Sequence, residues 1–401
     1  DVPGMLPPDG LVYVQGCSGE SRLIADAVMK AGEALGPITF TGIFVPGLNR
    51  CTYVANAACR TRTFFMTPEL RAAEGQVDFL PLCYQDVRAH LGAAPIGAAL
   101  FQVAPPDANG LCSFGPVADF LPDLWERIPL RIAHVNPSLP RTSGPAIPVE
   151  ALAAVIEQEE ALAGSDEGAG DAVAALIADH IAHLVPENAT LQTGLGKIPG
   201  AGLRALRDRR GLRIHSGLIG DAVLDLLEAG ALAAENPITA GVAIGSERLY
   251  SAIANPAFAF RPVSYTHDPR VIARLPNFVA INSAIEVDLY GQAHAELTRR
   301  GLLSGPGGAS DFARGARLGG GLRIVALPAS AGDGSRIVPA GEGIGPVSLG
   351  RMDVDIVVTE HGAADLRGLD LDLRAEALIG IAAEDQREAL ARSWSERRRL
   401  H

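Results

Sequence analysis

Long apolar runs are missing from this sequence. None approaches the roughly 18 residues that a membrane-spanning helix requires, so a transmembrane helix is excluded. Basic runs are missing too, apart from Arg397-Arg398-Arg399, and the net charge is −12. That argues against a nucleic-acid duplex or an anionic membrane as the main partner. It does not exclude a phosphorylated ligand, because helix N-termini and loop amides hold phosphates without side-chain charge. Cysteine is sparse: Cys17, Cys51, Cys59, Cys83 and Cys112 are odd in number and form no CxxC pair. No disulfide frame and no zinc site is expected, and reduced thiols fit a cytoplasmic protein. The first ten residues hold three prolines and one methionine and do not read as a signal peptide. Asp rather than Met at position 1 is read as a trimmed start.

What is present is a turn-rich globular chain. Its 401 residues are 48% hydrophobic with 45 Gly and 28 Pro, a composition that fits α/β architecture and two domains. Leu11-Val12-Tyr13-Val14 reads as a strand, the small residues from Gln15 to Ser21 as a turn, and Leu23, Ile24, Ala27, Val28 and Ala31 recur at helical spacing. Strand, glycine turn and helix open an α/β domain, with the turn where ligands gather. The turn is neither GxGxxG nor a P-loop, so a nucleotide reading has little support. Further strands are expected at 38–40, 43–45, 77–81, 98–103 and 132–136, and a flexible acidic loop at Gly164–Gly170. Ala189 to Pro199 repeats the opening order of strand, Gln, glycine turn and helix, which suggests two similar halves. The expected domains are 1–185 and 186–401. In the second, 212–217 reads as strand and turn, 222–229 as a helix closed by Gly230, and 241–245, 261–265, 278–280, 322–327 and 354–358 as strands.

The stretch from Ile281 to Ala316 holds the densest chemistry. Ile285, Val287 and Leu289 alternate with Glu286, Asp288 and Tyr290 at the period of a half-buried strand. A helical stretch is expected next, then Gly305-Pro306-Gly307-Gly308, a backbone able to approach a ligand and aim N–H groups at it. Asp311 is expected to cap the following helix. Acidic side chains followed by free backbone donors suggest a site that manages negative charge.

Many motifs in one order carry a resemblance: PPDANGLCSFG at 105–115, LQTGLGKIP at 191–199, IHSGLIGDAVLDLLEAG at 214–230 and GSERLY at 245–250. VSYTHDPRVIA at 263–273, INSAIEVDLYGQ at 281–292, GPGGASDFARGA at 305–316, SRIVP at 335–339 and DVDIVVTEHGAADLRG at 353–368 continue it. Together they resemble the acetyl-CoA hydrolase/transferase group of class I CoA-transferases, which includes acetate, succinate and 4-hydroxybutyrate CoA-transferases. The resemblance implies two open α/β domains with the active site in the cleft between them. It implies a ping-pong exchange in which a glutamate attacks the acyl-CoA thioester, passes through an acyl-glutamyl anhydride and becomes a glutamyl-CoA thioester. By position, Gly307 and Gly308 would form one side of an oxyanion hole and the turn at Ser18 and Gly19 the other. Glu360 and His361 would line the pocket. Coenzyme A enters as a substrate rather than a resident cofactor, with a small carboxylate as acceptor, no metal, and a homodimer or larger assembly.

One position departs from that pattern. The family's nucleophilic glutamate follows the residue matching Ser216, and this chain has Gly217 there. The match resumes from Leu218. Three expectations follow: CoA transfer with Glu286 as a substitute carboxylate; hydrolysis, with Glu286 or His215 activating water in the space beside Gly217; or a CoA-ligand binding protein or altered acyl-CoA chemistry such as carbon–carbon cleavage. The plainer reading of Glu286 is a strand carboxylate paired with an Arg or an amide, and that of His215 a hydrogen-bonded packing residue. Cys17 reads more simply as a small buried residue than as a nucleophile. Arg60 and Arg62 could meet CoA phosphates or be surface charges. On this reading Gly217→Glu restores or raises transfer.

Overall fold

Short apolar runs closed by glycine turns fold here as parallel strands. The structure, a computed structural model, describes residues 2–165, 168, 170–332 and 334–400, so Asp166, Glu167 and Ala169 of the expected acidic loop lie outside the described residues. The chain divides into two discontinuous units. One is Asp1–Asp166 with Ile238–Thr266 and Leu303–Gly307; the other is Glu167–Pro237 with His267–Leu302 and Gly308–His401.

In the first unit seven strands lie in the order Val77–Phe79, Arg60–Thr63, Thr39–Gly42, Leu11–Val14, Ile96–Val103, Leu130–Val135 and Ala154–Glu157. Every neighbouring pair is parallel. The central strands are buried along their length, as a parallel sheet covered on both faces demands. Leu11–Val14 comes first in the chain yet lies inside the sheet, so the order reverses beside it. The turn at its carboxyl end therefore opens at a topological switch point. The helix that follows, Arg22–Ala31, begins where the Ser21 hydroxyl accepts the Ile24 N–H.

The second unit repeats this plan. Its strands run in the order Arg213–Ile219, Thr190–Thr193, Phe278–Ser283, Leu322–Ala326, Ile356–Thr359 and Gly362–Asp365. All neighbours are parallel except the last pair. Again the unit's first strand, Thr190–Thr193, is interior and the order reverses beside it. Asp171 caps the helix Ala172–Leu184 by accepting the Ala174 N–H, and Asp370 caps Leu371–Gly380 in the same way.

Several expected elements differ. The residues after Tyr290 are not helical. They form Ala293–His294 and a hairpin of Leu297–Thr298 with Gly301–Leu302, because the Thr298 hydroxyl holds the turn by donating to the Gly301 carbonyl. Residues 43–45 lie outside any strand, and Val263–Thr266 is a short helix rather than a strand. Thr359 to Gly368 includes a hairpin whose second strand is Gly362–Asp365. Asp311 is the third residue of its helix, Ala309–Gly319, and Gly308 holds the cap position.

The acidic strand of the central stretch is short, Glu286–Asp288, and Asp288 does not face solvent as alternation implied. Its buried carboxylate accepts the backbone N–H groups of Tyr290, Gln292 and Gly341 and the side-chain amide of Gln292, all at 3.0 Å or less. It is the knot of this loop region. Replacing Asp288 by Ala strands those donors and is expected to lower unfolding free energy by about 3 kcal/mol in urea titration; a loss near zero would contradict this role.

A glycine-flanked imidazole in the candidate active site

Ser18, Gly19 and Gly307 belong to the first unit. The Ser18 hydroxyl donates to the Ala243 carbonyl at 2.7 Å, and the Gly19 N–H donates to Gly16 O at 3.1 Å. Both groups are thus engaged in holding the turn. Cys17 is buried in the same turn, and burial, with Asp119 and Glu20 nearby, pushes its thiol well above the ordinary range. That makes it a poor nucleophile. Gly307 has φ +62° and bridges Cys83, so glycine is required there by conformation. A Cβ on Gly305 would fall 1.9 Å from the Phe64 carbonyl oxygen, so that close approach is made to the protein's own backbone. Arg60 is paired with Asp78 at 2.6 Å.

The remaining expected residues lie in the second unit. Glu286 is half-buried, and its Oε2 accepts the Ile344 N–H at 2.8 Å. Glu360, at the turn after Ile356–Thr359, accepts the Ala329 N–H at 2.8 Å, with His361 Nε2 at 4.0 Å from its other oxygen. Each carboxylate is tied to a backbone amide of its own neighbourhood.

His215, Gly217 and Gly308 are brought together, and by a residue the sequence reading passed over. Gly217 is inside the strand Arg213–Ile219, not in a turn after it. A Cβ on Gly217 would lie 2.5 Å from both Cε1 and Nε2 of His267. A Cβ on Gly308 would lie 2.5 Å from Cδ2 and Nε2 of the same ring. Gly308 has φ −95°, and Gly217 is not among the residues of positive φ, so the demand for glycine at both is steric. The space beside Gly217 is not empty: an imidazole fills it. The ring of His267 packs on Phe312 with centroids 4.7 Å apart, Phe312 stacks on Phe278 at 6.5 Å, and His215 meets Phe278 edge-on at 6.4 Å. His267 is 2% exposed. Burial, then the neighbouring His215, holds its imidazole far below the ordinary 6.5, at about 3, so it is neutral near pH 7. Among the described residues no group of three or more His, Cys, Asp or Glu is placed to hold a metal ion, and no helix is long and apolar enough to cross a membrane.

Comparison with known proteins identifies relatives of the chain. Residues 245–394 match the acetyl-CoA hydrolase/transferase C-terminal domain. The chain is 37% identical to a 4-hydroxybutyrate coenzyme A transferase of Clostridium kluyveri over 80% of its own length and 78% of the relative's. The chain belongs to the acetyl-CoA hydrolase/transferase family. It is an enzyme of that family, and its fold agrees. A 4-hydroxybutyrate CoA-transferase from Porphyromonas gingivalis superposes with TM-score 0.82 at 32% identity, covering 99% of this chain and 96% of that one. RipA from Yersinia pestis superposes with TM-score 0.90 at 26% identity, covering 98% and 95%.

Within this family member, His267 was legible only as part of the motif VSYTHDPRVIA. The local signal is Asp268-Pro269. Asp268 caps the short helix Pro269–Ile272, with its side chain accepting the Arg270 N–H, and Pro269 takes the first helical position. This sets His267 just outside the helix, at a joint, where its side chain turns inward. Above the ordinary histidine value of 6.5 the ring is neutral whether the chain is folded or not; as pH falls toward about 3 the unfolded chain takes a proton that the folded chain refuses. Its stability contribution is therefore full above pH 6.5 and lost with acidification. Thermal melts from pH 7 down to pH 4 are expected to show a steeper acid loss for the wild type than for His267→Phe; equal slopes would refute the buried neutral ring.

Proposed function

We propose that this enzyme exchanges CoA between an acyl-CoA thioester and a small carboxylate by direct attack of the acceptor, with no covalent bond to the chain at position 217. Gly217 with an imidazole seated against it carries this reading. Neither a carboxylate nor room for one exists there, while relatives of the chain are named CoA-transferases. The acceptor's carboxylate oxygen attacks the thioester carbonyl, the C–S bond breaks, and CoA leaves as thiolate. The thiolate then attacks the acceptor-side carbonyl of the mixed anhydride, and the original acyl group departs as its carboxylate. No proton is gained or lost, so no general base is needed. Charge developing on each tetrahedral oxygen is favoured by the amino end of the eleven-residue helix Ala309–Gly319. Holding the acceptor supplies the proximity that a covalent glutamate supplies elsewhere.

A second reading, hydrolysis, is favoured by relatives named acetyl-CoA hydrolases, 29% identical over 63% of the chain and 30% identical over 53% of it. Initial rates with acyl-CoA and acetate decide between them. Direct transfer gives intersecting double-reciprocal lines and no protein adduct trapped by borohydride or hydroxylamine. Parallel lines with a trapped adduct would refute it, and CoA release at the same rate without acceptor would favour hydrolysis. Glu286→Gln keeps an acceptor for the Ile344 N–H, so transfer is expected to stay within about 3-fold of wild type. A loss of about 100-fold or more would make Glu286 a base or nucleophile.

A further inference from the structure

We infer that His267 determines the reaction route: its ring occupies the volume that a nucleophilic side chain at position 217 would need, so the covalent route is closed by two residues together rather than by the loss of one. The inference rests on the reading that position 217 faces the thioester chemistry.

The geometry is specific. Nε2 of His267 is 2.5 Å from a Cβ built on Gly217 and equally 2.5 Å from one built on Gly308. Real Cβ atoms do not approach other heavy atoms so closely, so any side chain at either position must move the ring. The ring has little freedom to move. It is buried, packed on Phe312, and one residue ahead of the Asp268 cap that fixes its backbone. A flexible side-chain end could swing aside at small cost, whereas a buried ring wedged between a strand and a helix start cannot. Phe312 limits the same volume from another side, at 3.6 Å from the Gly217 position and 3.2 Å from the Gly308 position. Removing the imidazole is thus the change that opens position 217.

With the ring gone and a carboxylate introduced, the covalent route becomes available in balanced form. The introduced carboxylate attacks the acyl-CoA carbonyl, the C–S bond breaks and CoA leaves as thiolate. The thiolate then attacks the enzyme-side carbonyl of the anhydride, the acyl group leaves as carboxylate, and CoA remains bound to the protein as a thioester.

The test uses the full chain in four forms: wild type, G217E, H267A and G217E/H267A. Each is incubated with acetyl-CoA and analysed directly by intact mass. A CoA adduct is expected in the double variant alone, and hydroxylamine, which cleaves the thioester to a hydroxamate and frees CoA, is expected to abolish it. An adduct in G217E alone, at wild-type melting temperature, would overturn the inference. A folded double variant that binds acetyl-CoA and forms no adduct would overturn it equally. A second cycle guards against misfolding. G217A is expected to lower the melting temperature by about 5 °C in the wild type and by about 1 °C or less in the H267A background. Equal losses in both backgrounds would overturn the inference. If no form turns over any acyl-CoA, the proposed function fails, while the thermal cycle still decides whether His267 excludes a side chain at 217.

Discussion

A buried ring needs its full volume, and here that volume is obtained by deleting side chains from two separate elements. His267 reaches a strand on one side and the amino cap of a helix on the other, and both present glycine to it. The consequence is a rigid relation among the strand Arg213–Ile219, the helix Ala309–Gly319 and the joint before Asp268. Close packing of this kind has no intermediate settings, because a ring either fits or displaces its surroundings. Phe312 and Phe278 extend the contact into the interior, so the imidazole is part of the core as much as of the candidate site.

The same burial sets the electrostatics. An imidazole surrounded by aromatic rings and close to a second histidine does not hold a proton near neutral pH. The expected carboxylates, meanwhile, are occupied: Glu286 and Glu360 each accept a backbone N–H, and Asp288 organises a loop. Against Gly217 the chain therefore sets a neutral ring and no carboxylate. The proposed mechanism without a covalent carboxylate follows from that arrangement.

The sequence made the architecture readable because parallel strands buried on both faces are short apolar runs, and glycine turns mark their carboxyl ends. Leu11–Val14 and Thr190–Thr193 were visible for that reason. The errors came where a local hydrogen bond overrides pattern: Thr298 turns the chain back after Leu297, and Asp288 draws an apparently outward position into the interior. Gly217 was legible as an anomaly, since a motif with one residue changed stands out. What filled the space was not, because His267 is 50 residues further along the chain and only the fold brings them together. Linear spacing has no term for volume exchanged between distant positions.

That exchange also constrains history. A glycine codon can become a glutamate codon by one base change, so a carboxylate at position 217 is, on paper, one step away. With the imidazole in place that change puts two groups in one space. The ring must leave first, and its departure alone opens a void in the aromatic packing. Substitution at these positions is therefore ordered: the histidine works as a ratchet against any side chain at position 217.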